Sequence, residues 1–207
     1  FLLPASDDIH EPEEAATKTS KNPRIFYLLG AVGLCAAIIE GSAGDWGAVL
    51  ITDDFGATGL ISSLPYIVFQ TAMVIGRFSS DALTTRYGRA SILLGCGLLA
   101  AIGLSAGLVI GGQVAIVIAW FLIGAGASVV IPMVFSLAGS IAKKSYAGVI
   151  APSQAVATVT GISYSAFLIG PPVIGVVADI ISLRWAMLIP ACLALGIVIG
   201  SRIAAGA

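Results

Sequence analysis

The chain has 207 residues, of which 58% are hydrophobic and only 10% are charged, and its formal net charge is −1. Soluble domains carry about 25% charged residues, so this composition excludes a water-soluble fold. The sequence also contains no basic tract of the kind that binds nucleic acid.

Residues 1–23 are polar and largely acidic, and they lack the features of a signal peptide. We predict a flexible cytosolic linker here. The sequence opens on Phe1 instead of Met, which is expected both of a piece of a longer protein and of a trimmed chain. The single histidine, His10, lies in this linker, so the chain offers no histidine-based catalytic or metal site. The cysteines Cys35, Cys96 and Cys192 lie far apart, with no metal-ligand spacing, and we expect them to be packing residues. We therefore expect no metal, no cofactor and no enzymatic activity.

Six apolar segments follow, each close to the ~20 residues that cross the ~30 Å hydrocarbon core of a bilayer. Lipid offers no partner to backbone polar groups, and these segments are too long for barrel strands, so helices are expected. The sequence thus predicts an all-α membrane protein. Its spans are residues 25–51, 58–77, 90–110, 113–137, 153–180 and 183–203.

Basic residues fall almost entirely on one side of these spans. Arg184 is the exception, and the turns on its side also carry Asp53, Asp54 and Asp179. By the positive-inside rule both ends of the chain face the cytosol, in a multi-pass protein of the cell membrane. The basic residues on the cytosolic side are Lys18, Lys21, Arg24, Arg77, Arg86, Arg89, Lys143, Lys144 and Arg202.

Two carboxylates, Glu40 and Asp45, lie inside the first span, and neither has a basic residue within helical reach on that span. A charge at the bilayer centre costs at least ~2.5–3.5 kcal/mol, so such acids usually face a bundle interior or a water-filled path. Glu40 is expected ~22 Å from the cytosolic start of its helix, near mid-membrane. It is a candidate proton carrier or substrate contact; the alternative is an acid that only stabilises packing. Asp45 lies nearer the outer face and has the same two interpretations.

Other polar and aromatic side chains within the spans suit a cavity for a polar solute. Tyr66 and Gln70 lie one turn apart on span two, and Trp46 and Trp120 lie inside spans one and four. Interhelical hydrogen bonding and anchoring at the lipid interface explain them equally well. Weaker candidates lie on span five: Thr158, Thr160, Ser163 and Tyr164.

No Lys or Arg is expected deep in any span, which favours a neutral or cationic solute over an anionic one.

Glycine-rich interruptions at 41–44 in span one and 124–127 in span four, followed by Pro132, occupy matching positions of two three-helix groups. Transporters often place their sites on such broken helices, so we predict a 3+3 inverted repeat. Kinks are expected at Pro65, at Pro171 with Pro172, and at Pro190.

Residues 76–89, between spans two and three, resemble the cytosolic loop signature of the major facilitator superfamily, G-x-L-x-D-R-x-G-R. Leu83, Arg86, Gly88 and Arg89 match it. Ser80 replaces its first glycine and Thr85 its aspartate, with Asp81 nearby. Residues 40–46 and 168–175 resemble the seventh and eleventh helices of a bacterial inner-membrane subgroup related to the fucose permeases.

This resemblance implies the carboxy-terminal six-helix half of a twelve-helix carrier that works by alternating access, with the amino-terminal half as its partner. The loop residues Asp81, Arg86, Gly88 and Arg89 would form a cytosolic gate, in which the two arginines help to lock one state.

The predicted function is secondary active transport of a small solute across the bilayer, coupled to protons. Import or export, and H⁺ or Na⁺ as the coupling ion, stay open. The alternative is a non-transporting accessory or scaffold subunit derived from a transporter half.

Overall fold

The computed structural model describes residues 23–205, which are helical almost throughout and contain no strand. Three helices each form one span, and the next three spans are each divided in two. The helices are α1 Arg24–Asp53, α2 Leu60–Tyr87, α3 Arg89–Ile110, α4 Gln113–Ala127, α5 Val130–Ser145, α6 Pro152–Tyr164, α7 Ala166–Ile181, α8 Leu183–Ala186 and α9 Leu188–Ala205.

Six segments of this structure are long and apolar enough to cross a membrane, so the predicted all-α class with six spans is confirmed. The spans consist of α1, α2, α3, α4 with α5, α6 with α7, and α8 with α9. Residues 1–22 of the predicted linker lie outside the described residues.

Two spans extend further than their apolar stretches predict. Helix α2 continues past Arg77 to Tyr87, so the predicted loop is helical except at Gly88, whose φ of +79° ends the helix. Helix α5 continues to Ser145, through Lys143 and Lys144, which lie between the predicted spans four and five. Apolar length understates a span whose buried part contains a charged residue, as in α2, and backbone hydrogen bonding also continues into water wherever propensity allows.

Proline explains two of the helix interruptions. A proline leaves the carbonyl four residues earlier without its helical partner. Pro132 frees the carbonyl of Ser128, where α4 gives way to α5, and Pro190 frees that of Ala186, where α8 ends. The predicted interruption of span four is therefore confirmed. Span five is also divided, at Ser165, ahead of its two prolines.

The predicted interruption at residues 41–44 is wrong, because α1 is one continuous helix. Its small residues serve close packing instead. A Cβ added at Gly41 would lie 3.2 Å from the ring of Phe167, and one at Gly47 would overlap the indole of Trp120. These positions are where other helices approach the α1 backbone.

The helix contacts follow the symmetry of the predicted inverted repeat, which exchanges spans one, two and three with spans four, five and six. Span three packs on span four as span six packs on span one, and span two packs on span four as span five packs on span one. Spans three and six, which the symmetry exchanges, pack against each other. This pattern supports the 3+3 arrangement.

Contacts between helix termini define two ends of the bundle. At one, which we call the basic end, Phe26 at the start of α1 packs on Tyr146 after α5, with ring centroids 5.2 Å apart. At the opposite end, Arg184 Nε donates to the carbonyl of Leu108 at 2.7 Å, and Gln113 Nε2 donates to that of Phe55 at 2.9 Å. Arg184, the one basic residue predicted on that side, therefore caps α3.

Candidate functional site: a charged pocket beside broken helices

Glu40 of α1 and Arg77 of α2 form an ion pair within the membrane-spanning part of the bundle. Arg77 Nη2 lies 3.4 Å from Glu40 Oε1, and the side chains are 50% and 26% exposed, respectively. At ~1.5 Å per residue, Glu40 is ~24 Å along α1 and Arg77 ~26 Å along α2, so each lies near the middle of its helix. Two opposite charges therefore meet far from either end of the bundle.

The pair lines a pocket of about 500 Å³ whose remaining walls are apolar and aromatic. Tyr164 connects two phenylalanine rings, with centroids 6.1 Å from Phe135 in an edge-on arrangement and 5.9 Å from Phe167. Ile131 and Pro132 complete the lining. A concave, mostly apolar pocket with a few converging polar groups is the usual form of a small-molecule site, and this volume falls in the usual range of about 300–1,000 Å³.

The pocket lies beside two helix interruptions, the one between α4 and α5 and the one between α6 and α7. Ile131, Pro132 and Phe135 come just after the α4–α5 break, while Tyr164 and Phe167 flank the α6–α7 break at Ser165. Spans one, two, four and five thus meet at one position. Such convergence on discontinuous helices is the usual location of transporter sites.

The charged pair uses little of its hydrogen-bonding capacity. Within residues 23–205, Arg77 donates one bond, to Glu40, although a guanidinium carries five N–H donors. Polar groups in a region of low dielectric are costly unless they are satisfied, so water or a solute must fill the remaining positions. The described residues contain no acidic or sulfur-containing cluster that could hold a metal.

Arg77 corrects one prediction from the sequence. We placed it at the cytosolic end of span two and expected no deep cation, but it lies inside α2 and contacts Glu40. The apolar run stops at Arg77 because the charge itself lowers the local hydropathy, although the helix continues. The argument against an anionic group on the solute therefore no longer applies.

The two tryptophans lie away from the pocket. Trp120 is fully buried, and its Nε1 donates to the carbonyl of Ala43 at 2.9 Å. Its indole packs closely against Gly47, so it belongs to helix packing and we leave it out of the site. Trp46 packs against Gly175 of α7, and its buried Nε1 has no partner within residues 23–205.

Three other predicted site residues lie on exposed faces. Gln70 Nε2 donates to the hydroxyl of Tyr66 at 3.1 Å, as expected for residues one turn apart. Asp45 is exposed and is not part of the pocket lining. A role in solute contact stays a prediction for all three and for Trp46.

The four predicted gate residues lie at the basic end. Asp81 and Arg86 belong to α2, Gly88 connects the helices, and Arg89 begins α3. The Arg86 guanidinium lies 5.2 Å from the ring centroid of Tyr87. Asp81, Arg86 and Gly88 are exposed and available to another surface, and their gating role stays a prediction.

Of the weaker candidates on span five, only Tyr164 lines the pocket. Ser163 is buried and donates to the carbonyl of Val159 at 2.7 Å, and Thr158 donates to that of Gln154 at 2.9 Å. Sequence reasoning missed Arg77, Phe135 and Phe167. The spacing of Phe135 three residues after Pro132 was an available signal, because it places the ring just beyond a helix break.

Comparison with known proteins identifies relatives over most of the chain. The family model of the Major Facilitator Superfamily matches residues 29–205. An uncharacterised MFS-type transporter of Yersinia pestis is 36% identical over 165 residues, which cover 80% of this chain and 41% of that protein. The uncharacterised transporter y4wD of Sinorhizobium fredii is 34% identical over 160 residues, covering 76% of this chain and 40% of that protein.

The fold is likewise that of a solved transporter. The crystal structure of FucP, a Major Facilitator Superfamily transporter in the outward conformation, matches with a TM-score of 0.77 at 20% identity. The match covers 99% of this chain and 49% of FucP. The chain therefore spans less than half the length of the relatives it matches.

Proposed function

Because this chain belongs to the Major Facilitator Superfamily, we propose that it is the carboxy-terminal half of a secondary active transporter that moves a small solute by alternating access, coupled to protons. The observation that carries this proposal is the Glu40–Arg77 pair on the wall of a pocket inside a multi-pass membrane protein. Paired intramembrane charges with unused hydrogen bonds are expected along a solute or ion pathway.

The proposed partner is an amino-terminal six-helix half. In the most apolar 18-residue stretch of each span, 22% of residues are buried in α2 and 17% in α6–α7, against 61% in α4–α5. The sparsely buried spans include the two that line the pocket through Arg77 and Tyr164, so a second bundle placed there would close the pocket. The chain covers 41% of the Yersinia pestis relative and 49% of FucP, as expected for one half of a longer transporter.

In the proposed cycle, the two halves rock about the pocket in a bacterial inner membrane with the basic end in the cytosol. The breaks at Ser128 and Ser165 divide spans four and five beside the pocket, where a half-helix can tilt without bending a continuous hydrogen-bond ladder. Asp81, Arg86, Gly88 and Arg89 would meet the partner half in one of the two states. The exposure of Asp81, Arg86 and Gly88 at the basic end supports this role.

Proton coupling is assigned to Glu40. When the carboxylate is ionised it holds Arg77, and when it is protonated the attraction is lost and the guanidinium is free to contact solute or the partner half. The two protonation states therefore favour different arrangements of α1 and α2. A ligand drives a conformational change only through such a difference in affinity between two states.

The test uses the full natural gene product in liposomes that enclose a pH-sensitive dye, with an imposed inward proton gradient. A panel of sugars, nucleosides, amines, amino acids and carboxylates is added outside. We expect at least one solute to accelerate proton entry in the wild type, and the Glu40→Gln variant to lose that acceleration. Asp179→Asn, which removes an exposed acid at the opposite end of the same bundle, is the matched control and should behave as wild type.

Two results would count against the proposal. Full solute-driven proton entry in Glu40→Gln would remove Glu40 from the coupling mechanism. No solute effect with any compound, together with stable association of the protein with another membrane complex, would favour the accessory or scaffold alternative.

A further inference from the structure

We infer that this pocket selects solutes that carry a carboxylate and an ammonium group together on an apolar or aromatic body. The inference rests on the proposed function, since it names the substrate class of the same site. Three observations support it: the unused bonds of the charged pair, the balance of charge in the pocket, and the aromatic walls.

The first observation is the geometry of the pair. Arg77 and Glu40 touch through one oxygen and one nitrogen at 3.4 Å, and Arg77 is half exposed. The planar guanidinium therefore presents free N–H groups that suit a carboxylate in bidentate geometry. The second Glu40 oxygen has no partner within the described residues and can accept a bond from an ammonium group.

The second observation is that the pocket is electrically balanced before any solute enters. Its only charged lining residues within the described chain are Glu40 and Arg77, one of each sign. A solute with one charge would leave an uncompensated charge in a region of low dielectric, where such charges are costly. A zwitterion preserves the balance and supplies one partner to each protein group.

The third observation concerns the solute body. A continuous aromatic wall is formed by Phe135, Tyr164 and Phe167. Apart from Glu40 and Arg77, the described residues that line the pocket carry no charge. Aromatic rings pack favourably in edge-on or offset contact with other rings and with hydrocarbon. A sugar-like solute would place hydroxyl groups against this wall, and it would meet the two charges with neutral hydrogen bonds, which are weaker than charge-assisted ones.

A matched set of compounds tests each group separately. The set is L-phenylalanine, phenethylamine, which lacks the carboxylate, 3-phenylpropanoate, which lacks the ammonium group, and myo-inositol, a neutral polyol. Binding is measured with the purified full natural gene product by thermal stabilisation and by isothermal titration calorimetry. We expect L-phenylalanine to bind at least about tenfold more tightly than each of the other three, as loss of one charge-assisted contact implies.

Variants then identify which protein side chain binds which charged group of the solute. Arg77→Gln should abolish the preference for L-phenylalanine over phenethylamine, and Glu40→Gln should abolish its preference over 3-phenylpropanoate. Arg77→Lys keeps the charge and should retain part of the carboxylate preference, since an ammonium group cannot make the bidentate contact. Lys143→Gln, at an exposed position of the basic end, is the control and should leave all preferences unchanged.

The outcomes separate this inference from the proposed function. If a sugar or a singly charged compound binds more tightly than L-phenylalanine, or if the variants leave its preference intact, the zwitterion inference is wrong. Solute-driven proton entry that depends on Glu40 would still support transport in that case. If L-phenylalanine binds through both groups but neither it nor any other compound of the panel drives proton entry, the recognition stands and the transport proposal fails. If L-phenylalanine does not bind, the inference is overturned.

Discussion

Arg77 and Arg184 show two different uses of arginine in one bundle. Arg184, at the opposite end, donates to the carbonyls of Leu108 and Val109 at 2.7 and 3.2 Å, and its guanidinium lies 5.4 Å from the ring centroid of Phe55. Arg77 has one contact, at 3.4 Å, and half of its side chain is exposed. An arginine that donates to two backbone carbonyls and packs on an aromatic ring holds the fold together. One that makes a single bond on a pocket wall is available to a solute.

The same contrast occurs along α1, between positions only one turn apart. Glu40 faces the pocket, while the Ala43 carbonyl accepts a bond from the buried Trp120 indole. The turn at Ala43 is sealed by packing, whereas the turn at Glu40 opens on the pocket. We therefore expect substitutions at the sealed turn to lower stability and substitutions at the pocket to lower activity. The following predictions are ranked by their expected cost in stability.

The largest loss of stability is expected for Trp120→Ala. The substitution removes a fully buried ring and its bond to Ala43, leaving a cavity between α1, α2 and α4. We expect a loss of about 3 kcal/mol, the lower end of the range for buried aromatic residues, because lipid is already apolar and the penalty is mainly lost packing. Unfolding in mixed detergent micelles measures it.

Phe121 provides the control for this prediction, because it is the next residue on α4 and is 42% exposed. Phe121→Ala should lower the free energy of unfolding by less than about 1 kcal/mol, as expected for a surface position. Equal losses in the two variants would mean that the Trp120 contact contributes nothing specific to the packing of α1 on α4.

An intermediate loss is expected for Arg184→Gln. The carbonyls of Leu108 and Val109 at the end of α3 lose a charged donor, and hydrogen bonds to charged groups contribute about 1.5–3 kcal/mol when well buried. Because Arg184 is only partly buried, we expect about 1–2 kcal/mol by the same measurement. Arg202→Gln, at an exposed position near the end of α9, should change stability by less than about 0.5 kcal/mol.

The activity of Arg184→Gln sharpens the comparison. Solute-driven proton entry, normalised to the folded protein in the liposomes, should match wild type, since Arg184 lies away from the pocket. A normalised rate as low as that of an Arg77 variant would show that capping of α3 also controls the site.

The six spans could be predicted because apolar length responds to one dominant cost, that of exposing polar groups to lipid. The charged pair could not, because it depends on how α1 and α2 pack side by side. Glu40 and Arg77 are separated by 37 positions in sequence, and no local spacing relates them. Trp120 and Tyr164 illustrate the same limit, since both are aromatic residues within spans, yet one is buried in packing and the other lines the pocket.

The smallest loss of stability is expected for Arg77→Gln. A half-exposed ion pair contributes about 0–1 kcal/mol, and polar interactions between membrane helices average about 0.6 kcal/mol. We expect the free energy of unfolding to fall by an amount within that range. Solute-driven proton entry should fall by at least about tenfold, because the variant removes a charge-assisted contact to the solute. A double-mutant cycle with Glu40→Gln measures the coupling in both properties. Strong coupling in stability with none in transport would mean that the pair is a packing element, and the pocket would then resemble the sealed turn of α1.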